Sequence, residues 1–142
     1  MAEVPEEKPP TVIQLIWEHD LVFAGTSGDV RMTVDSASRE GPSPMQALAF
    51  ALAGCMAMDV VHVIKKGRHE LRGLRADLTG TRTNEVPRRF TRVELHYTLT
   101  GSIATDVVER AIELSRDKYC SVWHSLRQDI QFEVTFTVSE GI

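Results

Sequence analysis

From Ala47 to Met58 this chain carries no charged residue, and between Ala47 and Ile64 its only strongly polar side chains are Asp59 and His62. The flanks mark the run as a single helix. Ser43 is a good N-cap, Pro44 suits the first helical position, and Gln46 completes a capping box with Ser43. At the far end Lys65 and Lys66 complement the helix dipole, and Gly67 is placed to close the helix in a left-handed conformation. A helix from Pro44 to Lys66 is about 35 Å long. A helix apolar on every side must be covered on every side, and one sheet covers one face. A second copy of the chain is the natural source of the remaining cover, so a homodimer is expected, with N-terminal strands crossing between protomers. The apolar stretch Pro44 to Met58 falls short of the roughly 18 to 20 residues of a membrane span, and it contains Gln46. No membrane is expected as a partner.

The segments on either side are strands and short helices. Thr11–Trp17, Leu21–Ala24 and Val30–Val34 are three short strands separated by turn-like breaks at Glu18–Asp20 and Gly25–Gly28, which is a meander. After the long helix come strands at Leu71–Thr83 and Arg89–Leu99, joined by Asn84–Pro87. A second helix is expected at about Asp106–Arg116, capped by Thr105, and a short third one at Lys118–Arg127. A final strand, Ile130–Val138, puts Ile130, Phe132, Val134, Phe136 and Val138 on one side. The order βββ-α-ββ-α-α-β, with strands taken as antiparallel, is an α+β fold.

With 142 residues, 42% of them hydrophobic and 25% charged, the expected organisation is a flexible tail over residues 1–10 and one domain over 11–142. A net charge of −4 without a basic stripe argues against nucleic acid as a partner. Met1 to Pro10 is acidic and proline-rich, the reverse of a secretory leader, so a reducing cytoplasm is the expected compartment. No C-x-x-C motif or cysteine–histidine cluster is present, so neither a metal nor another cofactor is expected.

The two cysteines are the candidates for chemistry. Cys55 lies inside the apolar helix. Asp59 and His62 share its face; Asp59 would raise its pKa, and His62 is about 10 Å further along the axis. If Asp117 caps the third helix, Cys120 falls in its first turn, where the dipole favours a thiolate. Each cysteine is equally open to the plainer role of a small core residue. Arg39 and Glu40 flank the entry to the long helix, and a guanidinium there is the kind of group that holds a cysteine as thiolate. Met45, Met56 and Met58 are core filling or the lining of an apolar pocket, and His124 is close enough in sequence to Cys120 to border it.

Taken together, Gly41-Pro42-Ser43-Pro44-Met45-Gln46-Ala47-Leu48, Ala51-Leu52-Ala53-Gly54-Cys55, Met58-Asp59-Val60-Val61 and Tyr119-Cys120-Ser121-Val122 resemble the OsmC/Ohr family over about residues 11 to 138. The resemblance implies curved sheets wrapped around long buried central helices in an intertwined homodimer. It also implies a cysteine peroxidase that reduces organic hydroperoxides and hydrogen peroxide. The residue matching Cys55 would attack the peroxide, the one matching Cys120 would resolve the sulfenic acid as a disulfide, and a dithiol of the lipoamide type would regenerate the pair. The chain departs from the best-understood members in two places. It has Met45 where they carry a glutamate ten residues before the reactive cysteine, and no arginine matches theirs between Thr11 and Val30. Arg39 or Arg31 is the nearest substitute, and Ser-Pro-Met with Tyr-Cys-Ser-Val marks a different OsmC-like branch. The alternative implied by these departures is a non-catalytic stress or small-molecule-binding protein.

Overall fold

The computed structural model describes residues 7–140. Residues 1–6 of the expected tail lie outside the described residues, and 7–13 carry neither strand nor helix. The chain forms two compact units, one ending at Ala47 and one running from Leu48.

The first unit is the expected meander with shifted edges. Strands β1 (Gln14–His19), β2 (Val22–Ser27) and β3 (Val30–Asp35) pair antiparallel in that order. The second turn is tighter than the Gly25–Gly28 break suggests. Ser27 pairs with Val30, which leaves a two-residue loop in which Gly28 takes φ +58°. At the end of β3 the buried Asp35 carboxylate accepts the amides of Ala37, Arg39 and Glu40 at 2.9, 3.1 and 3.0 Å. The Glu40 and Ala37 amides in particular pull its pKa below the usual carboxylate range. The loop ends in the capping box: Gln46 N–H donates to Ser43 Oγ at 3.2 Å, and Ser43 N–H to Gln46 Oε1 at 3.0 Å.

Helix α1 spans Pro44–Lys66, the expected bounds. By length and composition it could cross a membrane, because its apolar character extends past Met58: mean hydropathy reaches 2.0 over 18 residues. Its buried residues are Leu52, Met56, Val60 and Ile64, spaced by four and therefore one stripe. Strands β4 (Glu70–Arg82), β5 (Phe90–Ser102) and β6 (Gln131–Ser139) form the second sheet in the order β4-β5-β6. The inward residues of β5, Val93, Leu95, Tyr97 and Leu99, join the α1 stripe in one core. Tyr97 donates its hydroxyl to the Ala53 carbonyl at 3.0 Å, which pins α1 to β5.

Four expectations need correction. The second sheet is mixed, because β6 pairs parallel with β5. Between them run helix α2 (Thr105–Leu114), a wide π-type turn (Ser115–Tyr119) and helix α3 (Ser121–His124). A helical connection of that length is what a parallel return requires. On its outer face Arg92 reaches Gln131 and Glu133, and the two nitrogens of His96 bond the Thr135 and Thr137 hydroxyls at 2.7 and 2.9 Å. Second, the cap of α2 is Ala104, one residue earlier than Thr105, and it works through its backbone carbonyl. Third, no helix starts at Lys118. The π-type turn continues α2 through Tyr119 and closes with Cys120 N–H on the Ser115 carbonyl at 2.7 Å. Fourth, the left-handed residue ending α1 is Arg68 (φ +62°), not Gly67. His69 N–H bonds the Ile64 carbonyl and Arg68 N–H that of Lys65, which is the Schellman closure.

That last feature has a measurable consequence. A non-glycine residue in the left-handed region costs about 1–2 kcal/mol, and a glycine there returns part of that gain through its freer unfolded chain. Arg68→Gly should stabilise the protein by up to about 1 kcal/mol, read as a higher urea midpoint at fixed protein concentration. An unchanged or lower midpoint would count against this closure.

Candidate active site

The stripe that buries Leu52 and Met56 turns Cys55 to its flank, half-buried, toward the connection between β5 and β6. The wide turn and α3 bring Cys120 to the same place from the other side. Cys55 Sγ, Cys120 Sγ and an Asp59 carboxylate oxygen all lie within 4.8 Å of one another. Both thiols are reduced. A disulfide needs sulfurs about 2.05 Å apart, so side-chain movement of no more than about 3 Å would join them.

The chain places two donors around Cys55 that its spacing did not announce. Ser121 Oγ is 3.8 Å from Cys55 Sγ, and the Val122 amide is placed to favour a thiolate at that sulfur. Cys120 is itself the cap of α3: its sulfur accepts the Trp123 amide at 3.4 Å, in place of the expected Asp117. Trp123 holds this turn in position, buried against Phe132 of β6 with ring centroids 4.5 Å apart, while the Arg116 guanidinium lies 5.1 Å from the far ring. Such an aromatic contact adds about 0.5–1.5 kcal/mol beyond its buried area. Asp59 is oriented by the Ser115 hydroxyl, which donates to its Oδ2 at 2.8 Å.

These surroundings divide the two thiols. Burial alone would push Cys55 up. The Val122 amide, the Cys120 thiol and the Ser121 hydroxyl, all stabilising its thiolate, outweigh burial and hold its pKa below that of an ordinary thiol, although Asp59 acts against them. Cys120 moves the opposite way. Burial pushes it up to about 11, the Trp123 amide offsets part of this, and Cys55 and Asp59 add to the rise. The expectation of a thiolate at Cys120 is therefore reversed: Cys55 is the acidic thiol and Cys120 keeps its proton.

The other candidate residues stand as follows. Arg39 and Glu40 belong to the first unit; their amides bond Asp35, and the Glu40 carboxylate is paired with His19 Nε2 at 3.0 Å. Met45 is half-buried in the first turn of α1, Met56 is fully buried in the core, and Met58 is 74% exposed on the opposite face. His124 ends α3 with an exposed side chain. Asp59 and His62 line a pocket of about 610 Å³ with Val63, Lys66, Gly67, Leu114 and Tyr119.

Two cysteines, one acidified and one protonated, therefore meet across the crossover of an α+β domain. The comparisons with known proteins give the family. A family model described as OsmC-like protein matches residues 35–135. The protein YhfA of Escherichia coli K12 is 36% identical over 121 residues, covering 84% of this chain and 83% of that protein. A crystal structure of a hypothetical protein from Aquifex aeolicus matches with a TM-score of 0.86 and 24% identity, over 93% of this chain and 98% of that one. A Legionella pneumophila structure, described as an organic hydroperoxide resistance protein OsmC and predicted redox protein, matches with a TM-score of 0.70 and 14% identity, over 94% and 100% of the chains. The chain belongs to the OsmC-like family.

The split between the thiols can be read by alkylation. In the reduced protein at neutral pH, iodoacetamide should modify Cys55 at least about tenfold faster than Cys120, since a unit of pKa is a factor of ten in thiolate. Ser121→Ala should move the Cys55 rate–pH profile to higher pH. Equal rates at both cysteines, or a profile indifferent to Ser121, would contradict the assigned surroundings.

Proposed function

We propose that this protein is a thiol-dependent peroxidase acting on organic hydroperoxides and hydrogen peroxide, with Cys55 as the attacking thiolate and Cys120 as the resolving thiol. The observation that carries this reading is the close pair of unlike thiols, both sulfurs within 4.8 Å of the Asp59 carboxylate. A nucleophile needs the acidic thiol, and the protonated partner waits beside it. The Cys55 thiolate attacks the O–O bond. One oxygen passes to sulfur, giving Cys55–SOH, and the other leaves as ROH after taking a proton. Cys120 then attacks the sulfenic sulfur; its proton and the departing hydroxide leave as water, and the Cys55–Cys120 disulfide forms. A dithiol, of the lipoamide type by family resemblance, reduces that disulfide. The balance is ROOH + dithiol → ROH + water + cyclic disulfide, and the site of such a cycle is cytoplasmic.

The non-catalytic reading is supported by Met45 in place of a glutamate, and by the pairing of Glu40 with His19. It requires an ordinary or raised pKa at Cys55, and the lowered one weighs against it. The experiment is stoichiometric. One equivalent of cumene hydroperoxide added to reduced protein should consume both thiols and the peroxide together. Cys55→Ser should abolish consumption, and Cys120→Ser should stop at the sulfenic acid, trapped by dimedone. Survival of both thiols, or wild-type rates in Cys55→Ser, would sink the proposal.

The same reading includes an obligate homodimer. Opposite its buried stripe, α1 shows an apolar face with Phe50 and Met58 73% and 74% exposed, and β1 leaves Ile16 and Trp17 68% and 64% exposed. Gly54 meets no atom within 4 Å of a would-be Cβ, so a second helix could approach closely there. Exposed apolar faces of this extent are rare on monomers. Sedimentation at low micromolar concentration should give twice the chain mass, and the melting temperature should fall over a hundredfold dilution. A folded monomer with a concentration-independent melt would refute the dimer.

A further inference from the structure

The same juxtaposition has a second chemistry. Among the described residues, Cys55 and Cys120 each offer a sulfur and Asp59 an oxygen within 4.8 Å of one another, although Asp59 and Cys120 are 61 positions apart in the sequence. We propose that the reduced protein binds a thiophilic divalent cation of the Zn²⁺ class through Cys55, Cys120 and Asp59, one per chain.

Three observations support it. The first is geometric. Around a tetrahedral cation, with bonds of about 2.3 Å to sulfur and 2.0 Å to oxygen, donors stand about 3.5–3.8 Å apart. From separations within 4.8 Å the donors need to close by no more than about 1 Å, less than the disulfide demands of the sulfurs. The second is the donor set. Two thiolates with one carboxylate suit Zn²⁺ and Co²⁺ and exclude Mg²⁺ and Ca²⁺, which take oxygen alone. Three protein ligands leave a fourth position for solvent, and one of them, Asp59, also borders a pocket of about 610 Å³ with His62 and Lys66. The third is the support behind the ligands. Ser115 is fully buried and holds the Asp59 carboxylate by one oxygen, which is how ligating carboxylates are oriented. Trp123 and Phe132 fix the turn that carries Cys120. Binding displaces the thiol protons that remain, chiefly that of Cys120, and the charge of the two thiolates and carboxylate against the cation is −1, facing Lys66 across the pocket.

Metal binding itself does not depend on the peroxidase reading. Its consequence does: a cation that occupies both sulfurs excludes hydroperoxide, so bound metal holds the site silent and reduced.

The test uses full-length, metal-free, reduced protein under anaerobic conditions, titrated with CoCl₂ alone. One equivalent should produce thiolate-to-cobalt charge-transfer bands and tetrahedral d–d bands, both lost on adding ZnCl₂. Cys120→Ser should abolish the charge transfer from the second sulfur. Asp59→Asn should weaken binding at least about tenfold, and Ser115→Ala about tenfold or more. Absence of charge-transfer bands, or an affinity indifferent to Asp59→Asn, would overturn the inference. Because any variant can fail to fold, wild-type protein supplies a second readout: Zn²⁺ should protect both Cys55 and Cys120 from alkylation, and unprotected thiols would overturn it as well. Peroxide consumption is measured separately on the metal-free protein. Consumption without cobalt bands overturns the metal site and leaves the peroxidase; bands without consumption do the reverse.

Discussion

The packing of one helical stripe on one strand governs the second unit. Leu52, Met56, Val60 and Ile64 meet Val93, Leu95, Tyr97 and Leu99, and Tyr97 adds a hydrogen bond to the Ala53 carbonyl. Burying side chains of this size is worth about 1.5–3 kcal/mol each, so no other contact competes for the rotation of α1. Once that rotation is set, Cys55 is set. Rolling α1 by a single residue, 100°, would send the thiol into the sheet or out to the uncovered face.

The chemistry then comes from unequal surroundings. Both sulfurs are in the same small volume, yet one is surrounded by donors and the other is sealed in. The difference originates in backbone amides and hydroxyls of the Cys120–Trp123 turn, with no cationic side chain among the groups that shift Cys55. Amides are fixed by the chain path, so the acidity of Cys55 is a property of how the turn is docked. Asp59 acts against it, raising both thiols, so its carboxylate does not activate Cys55.

Much of this was legible in the residues. The capping box, the 23-residue helix with Cys55 inside it, and the meander follow from spacing and turn chemistry. What was not legible has physical reasons. Alternation along a strand reveals its faces and not its direction, so the parallel pairing of β6 was hidden. The lysines and Gly67 located the end of α1, but which of Gly67 and Arg68 turns left-handed depends on carbonyl geometry. A π-type turn has no residue signature, so Asp117 looked like a cap and Cys120 like a first-turn residue. Ser121 was visible only as part of a motif; that it faces Cys55, 66 positions away, is a result of the crossover.

That crossover also sets when Cys55 acquires its surroundings. The donors to Cys55 sit on a turn held by Trp123 against Phe132, and Phe132 belongs to β6, which pairs with residues 39 positions earlier in the chain. Contacts this distant in sequence form late, after the local helices and the β4–β5 hairpin. During synthesis α1 emerges with Cys55 long before β6 exists, and until β6 docks that cysteine lacks the amide and hydroxyl that sharpen it. The growing chain therefore carries a thiol of ordinary temper through its most exposed stage, and the acidic one appears only as the fold completes.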